Sequence, residues 1–379
     1  MKFKTIKNLN LKDKKVLLRV DFNSDVVKGR ILESDRIKAH SETIKFLLSK
    51  GARVVILSHQ GTPGEKDFTS LKKHSKFLNR YLRNRVKFVK DIIGKKAIRE
   101  IKNLKPGRAL LLENVRFLKE EFKPGKTNRM VLNLAPWFDY YVNDAFSIIH
   151  RNQTSVVSFP KVLPHAIGLV MEEELKQIRK LKSKLKNCLF ILGGKKSKDV
   201  ISLINNKNIL TTGKLSFLCL IAKGHNLGKE NQLLRKDMAL IPKIKKNLRN
   251  IKTPVDLAIN FGGRRDLSVK QFPEKYPVWD IGKETIENYK EEIKKAKAIF
   301  FKGSPGMFEH KGFELGTREL LNAVAESKAF SVIAGGQSSD AINEFHINRK
   351  KFGYVSLSGG SLVRYLAGEK LVGLEVLKF

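Results

Sequence analysis

The chain of 379 residues carries 75 lysines and arginines against 37 aspartates and glutamates, and 41% of its residues are hydrophobic, with a formal net charge of +38. This length and apolar content predict two globular domains and exclude an intrinsically disordered chain. Two cysteines, Cys188 and Cys219, exclude a disulfide framework, and the absence of a signal peptide or a long apolar run predicts a cytoplasmic protein with no membrane partner.

The positive charge is spread along the whole chain and is densest on helix-like segments such as 72–85 and 176–186. A field of this kind attracts anions in general, from phosphorylated metabolites to nucleic acid. Because no arginine-glycine tract, basic tail or RNA-recognition signature accompanies the charge, nucleic acid is expected only as a non-specific electrostatic partner. A lysine-rich solvated surface is the simpler interpretation.

In the first half of the chain, short apolar runs each end in a polar turn, and helical patterns at 34–49 and 70–83 lie between them. The apolar runs are 16–23, 53–59, 109–116 and 140–144. Strands of about five residues that alternate with helices predict βαβ units and a parallel sheet. Ligands of such sheets bind outside the carboxyl ends of the strands, so polar residues there are candidate site residues.

The polar residues at these predicted strand ends include three arginines and two histidines. The full set is Asp21, Asn23, Arg36, His59, Arg116, His150 and Arg151. Such a cluster suits a small anion with more than one negative group, for example a phosphate and a carboxylate. Arg116 and Arg151 are predicted to end adjacent strands and to hold the phosphate. Taken singly, each residue also has a structural interpretation, as an ion pair (Arg19 and Arg116) or a packed histidine.

A long amphipathic helix pattern that begins at Glu172 separates the two halves of the chain. The chain is therefore predicted to be an α/β protein with two doubly wound parallel sheets joined by a hinge helix. The predicted boundaries are residues 1–170 for the N-terminal domain, 171–186 for the interdomain helix and 187–361 for the C-terminal domain.

The second half repeats the pattern with the apolar runs 189–192, 209–211, 255–259, 298–301, 330–333 and 354–357. Each run ends in glycine or polar residues, and several glycine turns on one sheet suit a nucleotide that lies along the strand ends. After Gly193, Gly194, Lys195 and Lys196 the sequence is able to start a helix, whose N–H groups together with the lysines favour a phosphate. The alternative is an ordinary tight turn between strand and helix.

The chain contains no Walker A loop, no G-x-G-x-x-G fingerprint, no serine-hydrolase elbow and no cluster of metal ligands. With an anion cluster in the first half and glycine turns in the second, the residues favour phosphoryl transfer between two domains.

A series of segments resembles phosphoglycerate kinases, and the archaeal members most, in order and in spacing. The segments are 19–23, 35–37, 58–59, 112–117, 141–146, 150–151, 193–196, 280–282, 306–309 and 335–336. The resemblance implies reversible phosphoryl transfer between 1,3-bisphosphoglycerate and ADP, giving 3-phosphoglycerate and ATP, with Mg²⁺ bound to the nucleotide. It also implies Rossmann-like domains that close about the hinge, a segment 362–379 that returns to the N-terminal domain, and a monomer or homodimer.

The resemblance also implies roles for individual residues, carried over by position. The glycerate substrate is assigned to Asp21, Asn23, Arg36, His59, Arg116 and Arg151. The nucleotide is assigned to Gly193, Gly194, Lys196, Gly213, Lys302, Gly306, Glu309, Gly335, Gly336, Gln337 and Ser338. Arg36 and Lys196 are the implied catalytic residues, Glu309 is the implied ribose ligand, and no residue is assigned to a metal.

Departures from the family pattern are most numerous in the nucleotide half. Thr62 stands where the family has an arginine, Lys302 replaces an asparagine, and Gln337 replaces an aspartate or histidine. Two interpretations follow. Either the chain is a working kinase with a divergent nucleotide site, in which Lys302 or Lys195 replaces lost contacts, or it is a catalytically decayed homologue that binds anions or RNA.

Gln337 itself has two interpretations. A neutral amide is a poorer Mg²⁺ ligand than a carboxylate, so the metal is expected to be held mainly by the nucleotide phosphates and water. Alternatively, Gln337 caps the helix that follows it, and a neighbouring acid such as Asp340 takes the metal.

Overall fold

The computed structural model describes residues 2–379, which form two compact units. Unit 1 extends to Lys176 and also includes Lys370–Phe379, whereas unit 2 comprises Gln177–Glu369. Among the described residues, no helix is long and apolar enough to cross a membrane.

Unit 1 is built around one parallel sheet of six strands. The strands of the whole unit are β1 (Lys15–Arg19), β2 (Val26–Val27), β3 (Arg30–Ile31), β4 (Arg53–Leu57), β5 (Val86–Val89), β6 (Ala109–Leu112), β7 (Tyr140–Asn143) and β8 (His165–Ile167). Its helices are α1 (Asp35–Ser49), α2 (Lys72–Leu82), α3 (Lys95–Lys102), α4 (Arg129–Leu134), α5 (Thr154–Val157) and α6 (Leu169–Lys182), the last of which continues into unit 2. The sheet order is β5-β6-β4-β1-β7-β8, and β2 pairs with β3 in a separate ribbon.

Burial on both faces explains why the strands of unit 1 read as continuous apolar runs. Four of the five residues of β1 and four of the five of β4 are buried, which is typical of parallel strands covered by helices. Helix α1 follows Ser34, and its side chains Ile37, Ile44 and Leu47 recur at helical spacing and are fully buried. These side chains pack in one core with Val54 of β4.

Unit 2 contains a second parallel sheet of six strands and a separate antiparallel sheet. Its strands are β9 (Cys188–Leu192), β10 (Ile209–Thr211), β11 (Ile251–Lys252), β12 (Asp256–Asn260), β13 (Arg264–Ser268), β14 (Val278–Ile281), β15 (Ala298–Lys302), β16 (Phe330–Ala334) and β17 (Tyr354–Ser356). Its helices are α7 (Gly213–Ala222), α8 (Lys229–Leu233), α9 (Ile241–Lys245), α10 (Lys283–Lys295), α11 (Leu315–Glu326), α12 (Gly336–Glu344) and α13 (Gly360–Leu366). The parallel order β11-β10-β9-β15-β16-β17 confirms the predicted α/β fold with two parallel sheets.

The prediction that the run 255–259 belongs to the second parallel sheet is wrong. The run 255–259 forms β12, which pairs antiparallel with β13 and β14. The position beside β10 is taken instead by the two-residue strand β11. Pro254 lies between β11 and β12, and because a proline cannot donate to a strand ladder, the chain leaves the parallel sheet at that point.

The prediction that a helix starts directly after Lys196 is also wrong. The chain forms two successive 3₁₀ turns there, at Ser197–Asp199 and Ile201–Leu203. Val200 and Leu203 are both fully buried, and their spacing of three residues fits the 3₁₀ repeat. The turn after β9 therefore lacks the N-terminus of a regular α-helix. Any anion bound there would contact the glycine N–H groups and the lysines without the N–H groups of such a helix.

The end of the chain lies in unit 1. Helix α14 (Val372–Glu375) is held there by Gly373, whose N–H donates to the carbonyl oxygen of Ile149 at 2.9 Å. The N–H of Phe379 donates to the carbonyl oxygen of Lys2 at 3.2 Å. The part that belongs to unit 1 begins at Lys370, later than the start at residue 362 that the resemblance implied.

Candidate functional site

The polar residues predicted for the first half lie at the carboxyl edge of the sheet in unit 1. Strands β1, β4 and β6 are neighbours or near neighbours in that sheet and run parallel. The segments that follow them carry Asp21, His59 and Arg116. Because parallel strands end at the same edge, residues from distant parts of the sequence meet there.

Asp21 is the buried centre of this cluster, with 1% of its surface exposed. Its Oδ2 lies 3.1 Å from Nη1 of Arg36 and also accepts a hydrogen bond from the hydroxyl of Ser147. Its Oδ1 accepts the backbone N–H of Asn23 at 3.0 Å. Burial opposes ionisation, but Arg36, His59 and the hydrogen bonds outweigh it and hold the pKa of Asp21 well below its usual range.

His59 is a buried neutral histidine beside a buried arginine. Nη2 of Arg19 lies 3.3 Å from Nδ1 of His59, and Nε of Arg19 donates to Oγ of Ser155 at 2.8 Å. Burial and the surrounding guanidinium groups lower the pKa of His59 well below its usual value, although Asp21 opposes them. The imidazole is therefore neutral near pH 7. Sequence reasoning interpreted Arg19 as part of a strand-face ion pair, whereas the structure places it inside the cluster.

Arg116 carries the clearest signal for an anion. Its Nη1 donates to the carbonyl oxygen of Gly61, while its buried Nε and Nη2 have no hydrogen-bond partner among residues 2–379. Gly61 also donates its N–H to Oδ1 of Asn23 at 2.7 Å, so one turn positions both Asn23 and Arg116. Burial and the nearby Arg151 lower the pKa of Arg116 to about 10, which leaves it charged at neutral pH.

Arg116 and Arg151 were predicted to end adjacent strands, and this is wrong. Arg116 follows β6 and Arg151 follows β7, and β4 and β1 lie between those strands. The two guanidinium groups are nevertheless close enough for Arg151 to lower the pKa of both Arg116 and His59. Arg151 is exposed whereas Arg116 is buried, so the cluster presents one guanidinium group to solvent and keeps another in its interior.

At the carboxyl edge of the second sheet, the turns that contain Gly193, Gly194 and Gly303 pack against one another. We call the surface that these turns form the glycine surface. The N–H of Gly193 donates to the carbonyl oxygen of Lys302 at 2.8 Å, and the N–H of Gly194 donates to that of Ser304 at 3.1 Å. Gly303 has a φ of +86°, and a Cβ at this position would collide with the carbonyl oxygen of Gly193. Only glycine allows this close approach of two turns.

Lysines surround the glycine surface. Lys302 ends β15, and burial lowers the pKa of its ammonium group, as does the nearby Lys196. The ammonium Nζ of Lys302 lies beside Gly335, 3.3 Å from the position of a Cβ there. The Nζ of Lys195 lies 3.1 Å from Oε1 of Glu309, the residue that the resemblance assigned to the ribose. The structure thus brings Lys196 and Lys302 together and ties Glu309 to Lys195.

The interpretation of Gln337 as a helix cap is wrong. The cap of α12 is Gly335, and Gln337 lies within the first turn, after Gly336. Its Oε1 approaches Gly194, and the next residue, Ser338, accepts the N–H of Gly303 at 3.1 Å through its Oγ. Both residues therefore belong to the glycine surface.

A cavity of about 310 Å³ opens beside the glycine surface. Gly194, Gly213 and Gly306 are among the residues that line it. The apolar wall consists of Phe217, Leu233, Pro277, Val278, Trp279, Pro305 and Met307. A cavity with apolar walls and a few polar groups suits a flat heterocycle. Sequence reasoning missed this wall, because apolar residues in short strands and helices are indistinguishable from core residues in the sequence.

Comparisons with known proteins point to one family. The sequence model of that family, phosphoglycerate kinase, matches residues 6–369. A phosphoglycerate kinase from Methanothermus fervidus is 42% identical over 100% of this chain and 97% of its own length. One from Sulfolobus acidocaldarius is 41% identical over 98% of this chain and 95% of its own length. The crystal structure of phosphoglycerate kinase from Pyrococcus horikoshii matches with a TM-score of 0.93 at 34% identity, covering 99% of this chain and 98% of that one.

Proposed function

The chain belongs to the phosphoglycerate kinase family, and we propose that its unit 1 binds the glycerate substrate while its unit 2 binds the adenine nucleotide. As a member of this family it is an ATP-dependent phosphotransferase of glycolysis and gluconeogenesis. It transfers a phosphoryl group reversibly between 1,3-bisphosphoglycerate and ADP, giving 3-phosphoglycerate and ATP. The assignment of individual residues to these ligands is the subject of the proposal.

The buried N–H groups of Arg116 are the observation that carries the assignment of unit 1. Buried donors are nearly always paired, so Nε and Nη2 of Arg116, which lack a partner in residues 2–379, call for an acceptor from outside the chain. A phosphate offers several charged oxygens to such a guanidinium. We assign Arg116 and Arg151 to the phosphate that is not transferred, with Asn23 held nearby by the turn at Gly61.

Arg36 is assigned to the reacting end of the substrate. When ATP is consumed, the nucleophile is the carboxylate of 3-phosphoglycerate, which is already ionised at neutral pH, so no general base is required. The ionised Asp21 and the neutral His59 fit this reaction, because neither needs to accept a proton from the substrate. Arg36 then stabilises charge on the transferring phosphoryl group, which is the main task in such reactions.

The adenine base is assigned to the cavity of unit 2 and the phosphates to the glycine surface. The base packs against Trp279 and Met307, and the ribose extends toward Glu309 and Lys195. Lys196 and Lys302 supply positive charge for the phosphates. A lysine is a point charge that suits phosphate, and Lys302 stands where the family pattern has an asparagine.

Mg²⁺ accompanies the nucleotide in this family and supplies charge neutralisation at its phosphates. Among residues 2–379, no group of three or more histidine, cysteine or acidic side chains could hold a metal. Mg²⁺ commonly keeps several waters and binds largely through substrate phosphates, so the residues fit a metal that arrives on the nucleotide. We propose that Gln337 contributes at most a neutral oxygen beside it.

A coupled assay of ATP-dependent phosphorylation of 3-phosphoglycerate tests this proposal. We expect turnover by the wild type, severe loss in Lys196→Ala, and near-normal turnover in Lys198→Ala, which removes an exposed lysine two positions away. The comparisons give no support to the alternative, a decayed homologue that binds RNA. That alternative predicts no turnover together with RNA binding that weakens steeply as salt rises. Oligomeric state and cytoplasmic location remain predictions.

A further inference from the structure

Asp280 is a buried aspartate in β14 that does not itself line the cavity of unit 2. Only 1% of its surface is exposed. Its Oδ2 accepts hydrogen bonds from Nη1 of Arg264 and from the N–H of Gly316, both at 2.8 Å. Burial raises the pKa of this carboxyl to about 6, although Gly316 and Arg264 oppose the shift. At neutral pH the group is an ionised carboxylate stabilised by these two donors and by the N–H of Ile281, which donates to its Oδ1 at 2.9 Å.

Arg264 and Asp280 together contact the start, the middle and the end of one segment, 306–316, which connects β15 to α11. At its start, a Cβ on Gly306 would collide with the carboxylate of Asp280. In its middle, the carbonyl oxygen of Gly312 accepts a hydrogen bond from Arg264 at 3.1 Å. At its end, Gly316 donates to Asp280. The segment, whose last two residues begin α11, is thus hydrogen-bonded to the antiparallel sheet in its middle and at its end and closely approaches it at its start.

The same segment forms part of the apolar cavity. Gly306 and Met307 line it, and the N–H of Met307 donates to the carbonyl oxygen of Trp279 at 2.8 Å. The ring of Trp279 packs against His310 and Phe313, with ring centroids 4.7 and 5.0 Å apart. Trp279 precedes Asp280 directly in β14. The positions of Trp279 and Met307 in the cavity wall are therefore coupled to the Arg264–Asp280 pair.

We propose that Arg264 and Asp280 are positioning residues for the adenine nucleotide, which hold segment 306–316 so that Trp279 and Met307 form the wall against which the base packs. This inference rests on the proposed nucleotide cavity. Neither Arg264 nor Asp280 is among the described residues that line that cavity, so each acts through the segment. Preorganising a binding wall increases affinity, because a segment that is already ordered loses less conformational entropy when the ligand binds.

Asp256 provides a matched control in the same antiparallel sheet. It is also buried, at 7% exposed, and its carboxylate accepts the N–H groups of Glu284 and Thr285 at the start of α10. It is likewise absent from the described cavity lining. Replacing either aspartate removes a buried carboxylate from the same antiparallel sheet. Of the two, Asp280 is the one that is hydrogen-bonded to segment 306–316.

The test is calorimetric titration of the full-length protein with ADP and, separately, with 3-phosphoglycerate. We expect Asp280→Asn and Arg264→Gln to weaken ADP binding by at least about tenfold, with the affinity for 3-phosphoglycerate unchanged. In steady-state assays these variants should raise the KM for ATP more than they lower kcat. Asp256→Asn should lower the melting temperature and keep the ADP affinity of the wild type.

Limited digestion with trypsin adds a direct measure of the segment. Lys311 is exposed within 306–316, and we expect faster cleavage there in Arg264→Gln, with ADP restoring protection only at higher concentration. If Asp280→Asn does not fold, Arg264→Gln carries the same expectation. Wild-type ADP affinity in a folded Arg264→Gln, or an equal loss in Asp256→Asn, overturns the inference. A wild type that does not bind ADP contradicts the proposed nucleotide cavity instead.

Discussion

Nη1 of Arg36 lies 3.1 Å from Oδ2 of Asp21 and 3.1 Å from the backbone carbonyl oxygen of Asn23. The Asp21 side chain is 2% exposed and the Arg36 side chain is 25% exposed, so a buried carboxylate anchors a guanidinium that solvent can still reach. Because the anchor is buried and ionised, the guanidinium is oriented before substrate arrives. Preorganised charge of this kind lowers a barrier without reorganisation at the moment of reaction.

Replacing Arg36 with alanine should therefore reduce kcat by orders of magnitude with a modest change in KM, because the interaction lost is made mainly in the transition state. Steady-state kinetics with both substrates measures this. Arg30→Ala, which removes an exposed arginine from β3, serves as the charge-matched control and should keep kcat. A normal kcat with only a raised KM in Arg36→Ala would remove Arg36 from the catalytic role.

Arg116→Met should weaken 3-phosphoglycerate binding by on the order of 1.5–3 kcal/mol, the usual loss for a charge-assisted hydrogen bond. The reason is that the phosphate loses the donors Nε and Nη2. Calorimetric titration measures the affinity, and ADP binding by the same variant shows whether the rest of the protein is intact. Wild-type affinity for 3-phosphoglycerate together with normal ADP binding would assign the phosphate to other residues.

Gln337→Asp should shift the rate to a lower Mg²⁺ requirement, because a carboxylate is a harder and more strongly charged ligand than an amide. The Oε1 of Gln337 approaches Gly194 on the glycine surface, where the phosphates are proposed to lie. Rates measured over a series of free Mg²⁺ concentrations report the shift. Gln337→Met, which adds no charge, should leave the requirement unchanged, and an identical curve for Gln337→Asp would reject a metal near this side chain.

His74 is predicted to make stability depend on pH. Burial lowers the pKa of this histidine to about 4, whereas an unfolded histidine has a pKa of about 6.5. Between these values the unfolded state binds a proton that the folded state does not, so stability falls as the pH decreases. By pH 5 the contribution lost is about 2 kcal/mol.

Urea unfolding of the wild type and of His74→Gln at pH 7 and pH 5 checks this expectation. The wild type should lose about 2 kcal/mol more than the variant over this interval, since all other groups titrate in both proteins. Equal losses would mean that His74 is protonated in the folded protein at pH 5. In the wild type, Nε2 of His74 lies 3.1 Å from Oε1 of Gln60, and His74→Gln keeps an uncharged hydrogen-bonding side chain at this position.

Sequence patterning predicted the strands that are buried on both faces, and the structure confirms them. The run 209–211 matches β10, and the runs at 298–301 and 330–333 end one residue before β15 and β16 do. It missed β5, an edge strand in which Lys87 is exposed, because a short half-exposed strand has no continuous apolar run. It also placed β12 in the wrong sheet, since an apolar run does not specify its partner.

Much of the candidate site could likewise be predicted, because glycine turns and charged residues after apolar runs are local features. The sequence alone points to Asp21, Arg36, His59 and Arg116, and the structure brings them together at one sheet edge. The cavity wall could not be predicted. Trp279 lies in β14, which pairs antiparallel with β12 outside the parallel sheet, and no local pattern specifies that pairing.

The sequence by itself determined the alternation of strands and helices, the positions of the glycine turns and the family to which the chain belongs, because these depend on residues that are close in the chain. Only the tertiary structure decided that Arg19 contacts His59, that Lys195 pairs with Glu309, and that Arg264 and Asp280 together hold segment 306–316. Such contacts join residues that are far apart in the sequence. They depend on which strands are neighbours in a sheet, and that order is set by the packing of the whole unit and not by any local pattern.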